Sequence, residues 1–290
     1  MAHQRELLAR DSLTELRLGI SVSESADLGR LGLLDTHLRL ALAEASRAML
    51  IAGARIVYGG HLDPDGYAAF LWAEMEKYSR RDQPLSVCLA WQEHRRIPLA
   101  DLAAAEDALS LYGRIVYLSA EGEEIPRDYE RTELAEPVED SEVRRKALTA
   151  LREYMIDRTD ARVLFGGKRT GFQGRYPGVL EEALLSIKAG RPLFLASGFG
   201  GVTLDIARVL GLDPDGYFDA IAASEEQHDG LSEGLALIET ASRDAGWRLD
   251  RNGLSRDENL RLAASHRPSE VASLVALGLG RTSTGSGSSQ

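Results

Sequence analysis

The stretch Val163–Leu185, VLFGGKRTGFQGRYPGVLEEALL, carries the reading of the fold. An apolar, strand-like run ends in Gly166-Gly167. The chain turns helical after Pro177, with Glu181-Glu182 in the first turns. Between them Lys168, Arg169, Thr170 and Arg175 are laced with Gly171, Gly174 and Gly178. The order of strand, glycines and helix start recurs in IVYGGHLDPDGYAAFLW, around Gly59-Gly60. It recurs again in LFLASGFGGVTLDIARVL, around Gly198, Phe199, Gly200, Gly201 and Thr203.

Outward from these junctions, short runs rich in β-branched and apolar residues lie at Leu16–Val22, Arg55–Tyr58, Leu85–Trp91, Arg114–Leu118, Arg162–Phe165 and Pro192–Ala196. Helical spacing separates most of them. Thr36–Ile51 sets Leu38, Leu42, Ala45 and Met49 on one stripe, and Tyr67–Tyr78 and Arg144–Met155 follow the same period. Continuously apolar strands suit a sheet covered on both faces, and their alternation with helices predicts a mostly parallel sheet. The fold class is therefore α/β, doubly wound, with helices on both faces and a helical C-terminal extension. In that extension Leu231–Ala245 is one helix, and NGLSRDENLRLAA is a second, whose Ser255 and Glu258 form a capping box. One domain is expected over 14–280, after a lead segment 1–13 and before a flexible tail 281–290. Glu121–Glu142, acidic and proline-bearing, is expected as a surface excursion over the sheet edge.

Composition narrows the function. The 290 residues carry a net charge of -11, which disfavours a nucleic-acid surface because phosphate backbones are bound by basic faces. One cysteine, Cys88, excludes an internal disulfide and fits a reducing, cytoplasmic setting. No run approaches the roughly 18 apolar residues of a membrane span, and MAHQRELLARD has no signal-peptide core. The six histidines show no HExxH pattern and no pairing with cysteine, so no metal is expected. GxxxxGK[ST] and GxGxxG are absent from the chain, and no GxSxG elbow follows any of the strand-like runs. Both DPDGY segments, Asp63–Tyr67 and Asp213–Tyr217, read as turns.

What the junctions offer is a place for a phosphorylated ligand. Glycines let backbone N–H groups approach closely, and a helix N-terminus supplies free N–H donors with the positive end of its dipole. Such ligands settle at the carboxyl ends of parallel strands. Lys168 and Arg169 are the candidate phosphate partners. Ser21, Ser23, Glu24 and Ser25, where the first strand ends, suit a ribose or phosphate. Adjacent helical residues point about 100° apart, so one of Glu181 and Glu182 faces the sheet end, where it holds a sugar, and the other faces solvent.

Taken together, GISVSES, GARIVYGGHLDPDGY, LAW, GGKRTGFQGRYPGVLEEALLSI and LASGFGGVTLDI resemble the SLOG superfamily. Within it they look like prokaryotic SLOG modules similar to those of TRPM channels and of the Thoeris antiphage effector. The resemblance implies a Rossmann-like fold and a pocket for a nucleotide-derived ligand such as ADP-ribose or cyclic ADP-ribose isomers. That pocket would be built from the serines after the first strand, Gly59-Gly60, Gly166 to Glu182, and Gly198 to Thr203. No cofactor is required under this reading. The expected partners are the ligand, a separate effector protein and, on base rates, a second copy of the chain. Defence or NAD-derived signalling is the implied setting. The superfamily also holds LOG phosphoribohydrolases, with a PGGxGTxxE signature and a catalytic arginine and glutamate. Gly166-Gly167 and Glu181 sit in analogous places here, but the GT is replaced by a longer basic insertion, which favours binding over hydrolysis. If the chain is an enzyme, Arg169 with Glu181 or Glu182 would carry an N-glycosidase reaction.

Overall fold

The computed structural model describes residues 11–14, 16–78, 83–212 and 229–285. The second DPDGY segment, Asp213–Tyr217, and residues 1–10 and 286–290 lie outside the described residues. The elements run β1 (Arg17–Ser23), α1 (Asp35–Ile51), β2 (Arg55–Gly59), α2 (Tyr67–Tyr78), β3 (Leu85–Leu89), α3 (Trp91–Arg95), α4 (Leu99–Leu109), β4 (Gly113–Leu118) and β5 (Glu124–Ile125). They continue with α5 (Ser141–Ile156), β6 (Ala161–Gly166), α6 (Gly178–Lys188), β7 (Leu193–Ala196), α7 (Gly201–Val209), α8 (Asp229–Asp244), α9 (Arg256–Ala264) and α10 (Pro268–Gly285).

The sheet order is β5-β4-β3-β2-β1-β6-β7, parallel throughout except for β5, which pairs antiparallel with β4 at the edge. This is the Rossmann-like doubly wound arrangement that the residue pattern predicts. Period-2 alternation serves two cores. On β6, Val163 and Phe165 join the core with α1, α2, α4 and α10, while Leu164 joins the opposite core with α6, α7 and α8. The chain runs outward from β1 to β4, then crosses back to place β6 on the other side of β1. The two strands end level, Ser23 beside Gly166. Open α/β sheets form their ligand crevice where the winding direction reverses in this way.

Local chemistry sets the helix ends. Asp140 caps α5 by accepting from Glu142 N at 2.7 Å and Val143 N at 3.3 Å. The Ser255–Glu258 capping box opens α9. Three details differ from the sequence reading. The Leu85–Trp91 run stops as a strand at Leu89, and Trp91 opens the short helix α3. That helix is tied to the end of β4 by His94 Nε2, 2.9 Å from Leu118 O. The acidic excursion contributes β5, and Arg95 and Arg131 bind its backbone carbonyls and those of α3. Finally, α10 continues through residues 281–285, the first half of the expected tail. The helix is core: Val271, Val275 and Leu279 are buried together with the α1 stripe. No helix among the described residues is long and apolar enough to cross a membrane.

Candidate functional site

At the β1/β6 crevice a hollow of about 270 Å³ is lined by Ser23, Glu24, Tyr58, Gly59, Gly60, Arg152, Lys168, Phe172, Gly178 and Glu182, among others. A second hollow, of about 490 Å³, lies on the Ser25–Asp27 side, against Gly167 to Gly171. A third, of about 420 Å³, is lined by His61, Glu93, Pro137 and Gln173 and reaches the acidic excursion. Lys168 borders all three. Its ammonium is half-exposed and sits 3.1 Å from the exposed carboxylate of Glu24. That is a surface pair of little intrinsic strength, so the lysine can turn to an anion.

Beneath Lys168 the backbone is shaped by two glycines with positive φ, Gly166 (+59°) and Gly167 (+112°). A Cβ at Gly166 would fall 2.5 Å from Ser23 O. Here only glycine allows β1 and β6 to end side by side and Gly167 N to donate to Ser23 O at 3.2 Å. Ser23 Oγ accepts from Lys168 N at 3.2 Å, fixing the start of the basic loop.

The N-terminus of α6 opens on the first hollow. Pro177 provides no side-chain cap, and the N–H groups of Gly178, Val179 and Leu180 donate to no acceptor among the described residues. These are the free donors that a helix start leaves. Against them lies Arg152, from α5, only 7% exposed. Its guanidinium fits because Gly174 and Gly178 lack side chains: a Cβ at either would come within 2.9 to 3.0 Å of it. Nη1 bonds Glu181, while Nη2 and Nε have no acceptor among the described residues. Arg152 was not legible as a site residue. Its one signal is a charge on the apolar stripe Leu148–Leu151–Met155.

The two glutamates separate as helix geometry requires, but not as expected in detail. Glu182 faces the crevice. Its Oε2 accepts from Ser21 Oγ at 2.5 Å and from Arg162 Nη1 at 2.5 Å, and Oε1 accepts nothing among the described residues. Burial pushes the neighbouring Tyr58 phenol up, and the negative charge of Glu182 adds to the shift. Glu181 does not face solvent. It is 5% exposed, paired with Arg152 and accepting from Thr149 Oγ1 at 2.6 Å. The interior face of α5 supplies partners that spacing alone cannot reveal.

Other expected contacts are engaged elsewhere. Arg169 reaches Asp205 Oδ2 at 2.7 Å and Oδ1 at 3.0 Å, Asp27 at 2.7 Å and Gly201 O at 3.2 Å. Four donor positions are thereby used inside the protein, which leaves little for a phosphate. Asp27 also accepts from Gly201 N at 2.7 Å, capping α7. The third glycine junction is thus sealed rather than open. Gly198, Phe199, Gly200, Gly201 and Thr203 are buried. A Cβ at Gly198 would lie 2.2 Å from Ser265 O, and one at Gly201 2.6 Å from Gly166 C. These glycines serve backbone packing. Ser21 is buried beneath the crevice as a partner of Glu182, whereas Ser25, Thr170 and Gly171 line the second hollow. Arg175 pairs on the surface with Glu233 at 2.8 Å. Among the described residues no group of three or more His, Cys, Asp or Glu is arranged to hold a metal ion.

Comparison with known proteins agrees with this architecture. No curated protein matches the chain. A family model described as SLOG cluster2 matches residues 12–262, which takes in the whole sheet and every lining residue named above. The chain belongs to the SLOG cluster2 family.

Proposed function

We propose that the crevice binds a nucleotide-derived ligand, with phosphate at the α6 N-terminus and sugar at Glu182. One observation carries the reading. Free N–H groups, an incompletely paired buried arginine and an oriented carboxylate open onto the same hollow. Helix N-termini favour anions, and Arg152 and Lys168 add charge-assisted donors. Phosphate alone would gain nothing from Glu182, because a carboxylate only accepts hydrogen bonds and repels an anion. A hydroxyl-bearing sugar between phosphate and base resolves that conflict. Tyr58, Tyr67 and Phe172 supply aromatic surface for a base. Family membership points to nucleotide-related binding or LOG-like activity. Within that class, ADP-ribose or a cyclic ADP-ribose isomer is the ligand we favour, read as a signal passed to a separate effector protein in defence or NAD-derived signalling.

Hydrolysis is the second reading, favoured by the free oxygen of Glu182. A fixed carboxylate beside a ribose can stabilise the oxocarbenium-like state of N-glycosidic cleavage. Calorimetric titration with ADP-ribose, cyclic ADP-ribose isomers, NAD and AMP, followed by chromatography of each mixture, separates the two. Binding with the ligand recovered intact supports a sensor. Free base accumulating with time supports a glycosidase, and Glu182→Gln then stops release while sparing binding. Absence of binding to all of them refutes the nucleotide reading.

A further inference from the structure

We infer that Arg162, a residue of the sheet interior, is the positioning residue that fixes Glu182 as a hydroxyl acceptor and so sets preference for ribose-bearing ligands. The inference rests on the nucleotide reading of the crevice. Arg162 is 1% exposed, the largest fully buried side chain among the described residues. It stands on β6 directly opposite Gly19 of β1. A Cβ at Gly19 would lie 2.9 Å from Arg162 Cζ and 3.0 Å from Nη2. Glycine in a central strand weakens it and marks close approach by another group. Here that group is a guanidinium crossing the sheet face toward α6.

The guanidinium ends at the site. Nη1 donates to Glu182 Oε2 at 2.5 Å and to Ser21 Oγ at 3.0 Å, and Ser21 Oγ donates to the same Oε2 at 2.5 Å. Both donors converge on one carboxylate oxygen. The other stays with a residue that lines the hollow. An unrestrained carboxylate could rotate and present either oxygen, or turn toward Lys168. This one is held from below, so a fixed acceptor meets the ligand. A buried ion pair is seldom needed for stability, since apolar residues of similar volume serve as well. Desolvation opposes the charge on Arg162, and Glu182 is the leading group that offsets it. The arrangement therefore fits orientation better than core stability.

The test compares AMP with 2′,3′-dideoxy-AMP by calorimetry in the wild type, Arg162→Met and Arg162→Lys, with inorganic pyrophosphate as a competitor that needs no hydroxyl site. The wild type is expected to prefer AMP by at least tenfold. Arg162→Met reduces that preference to within about twofold while pyrophosphate competition is unchanged, and Arg162→Lys restores part of it. Equal loss of both nucleotides and of pyrophosphate in a folded Arg162→Met protein overturns the inference in favour of a purely structural role. Full retention of the preference overturns it too. If Arg162→Met does not fold, Ser21→Ala decides: it removes one of the two donors and should lower the preference several-fold, and an unchanged preference sinks the idea. Wild-type protein that binds both nucleotides equally, or neither, refutes this inference, and the nucleotide reading falls with it only when ADP-ribose, cyclic ADP-ribose isomers and NAD also fail to bind.

Discussion

Lys168 and Arg169 are neighbours in sequence with opposite fates. Lys168 keeps one weak surface partner at the meeting point of three hollows, while Arg169 is locked between Asp27 and Asp205. Lys168→Ala should weaken ADP-ribose binding about tenfold, the scale of one charge-assisted hydrogen bond, with the melting temperature unchanged. Arg169→Ala should leave the buried carboxylate of Asp27 and the partly buried one of Asp205 without their cation and cost about 3–5 kcal/mol in urea unfolding. A large affinity loss without destabilisation at Arg169 would reverse the assignment. Sequence marks both residues as candidates because each follows Gly-Gly. It cannot separate them, because Asp27 lies 142 residues from Arg169 along the chain. Glu181 and Glu182 divide for the same reason, by what α5 and β6 present to each.

At the scale of elements, the helix α3 turns on one side chain. His94 is buried, with Nε2 donating to Leu118 O and Nδ1 unpartnered, and burial lowers its pKa from 6.5 to about 4. The folded protein therefore holds His94 neutral where the unfolded chain would take a proton. Stability is complete above pH 6.5 and falls as pH drops toward about 4, by about 3 kcal/mol over the full interval. Urea unfolding at pH 7 and pH 5 should show the loss, and His94→Gln should flatten it. A second element depends on a glycine. At Gly198 the backbone meets Ser265 O so closely that Gly198→Ala should destabilise by about 1–3 kcal/mol. Were Gly198 a ligand contact, the alanine would instead impair binding with stability intact. The three glycine junctions look alike in sequence. Two border the hollows, and the third is closed by Asp27 and the chain near Ser265.

For the whole molecule, the family match ends at 262 but the core does not. Helix α10 packs on α1, burying Val271, Val275 and Leu279, and Gly278 lets it approach Asn252 and Phe194. A chain ending at Arg267 should lose cooperative thermal unfolding, followed by circular dichroism, because the stripe Leu38–Leu42–Met49 would face water. A chain ending at Thr282 should melt like the whole. An intact transition in the shorter chain would show the helix to be dispensable. Hydrophobic period and glycine placement are local properties. By themselves they determined the parallel α/β class, the main strands and helices, the capping box of α9, and the crevice-forming junction at Gly166-Gly167. Which polar groups remain free for a ligand is not local. Arg152 reaches the crevice, and Arg162 reaches Glu182 beneath it, from neighbouring elements through space that Gly174, Gly178 and Gly19 leave open. Asp27 and Asp205 withdraw Arg169 from it. Only the packed sheet and helices decided that division, because a side chain's availability depends on partners far away along the chain.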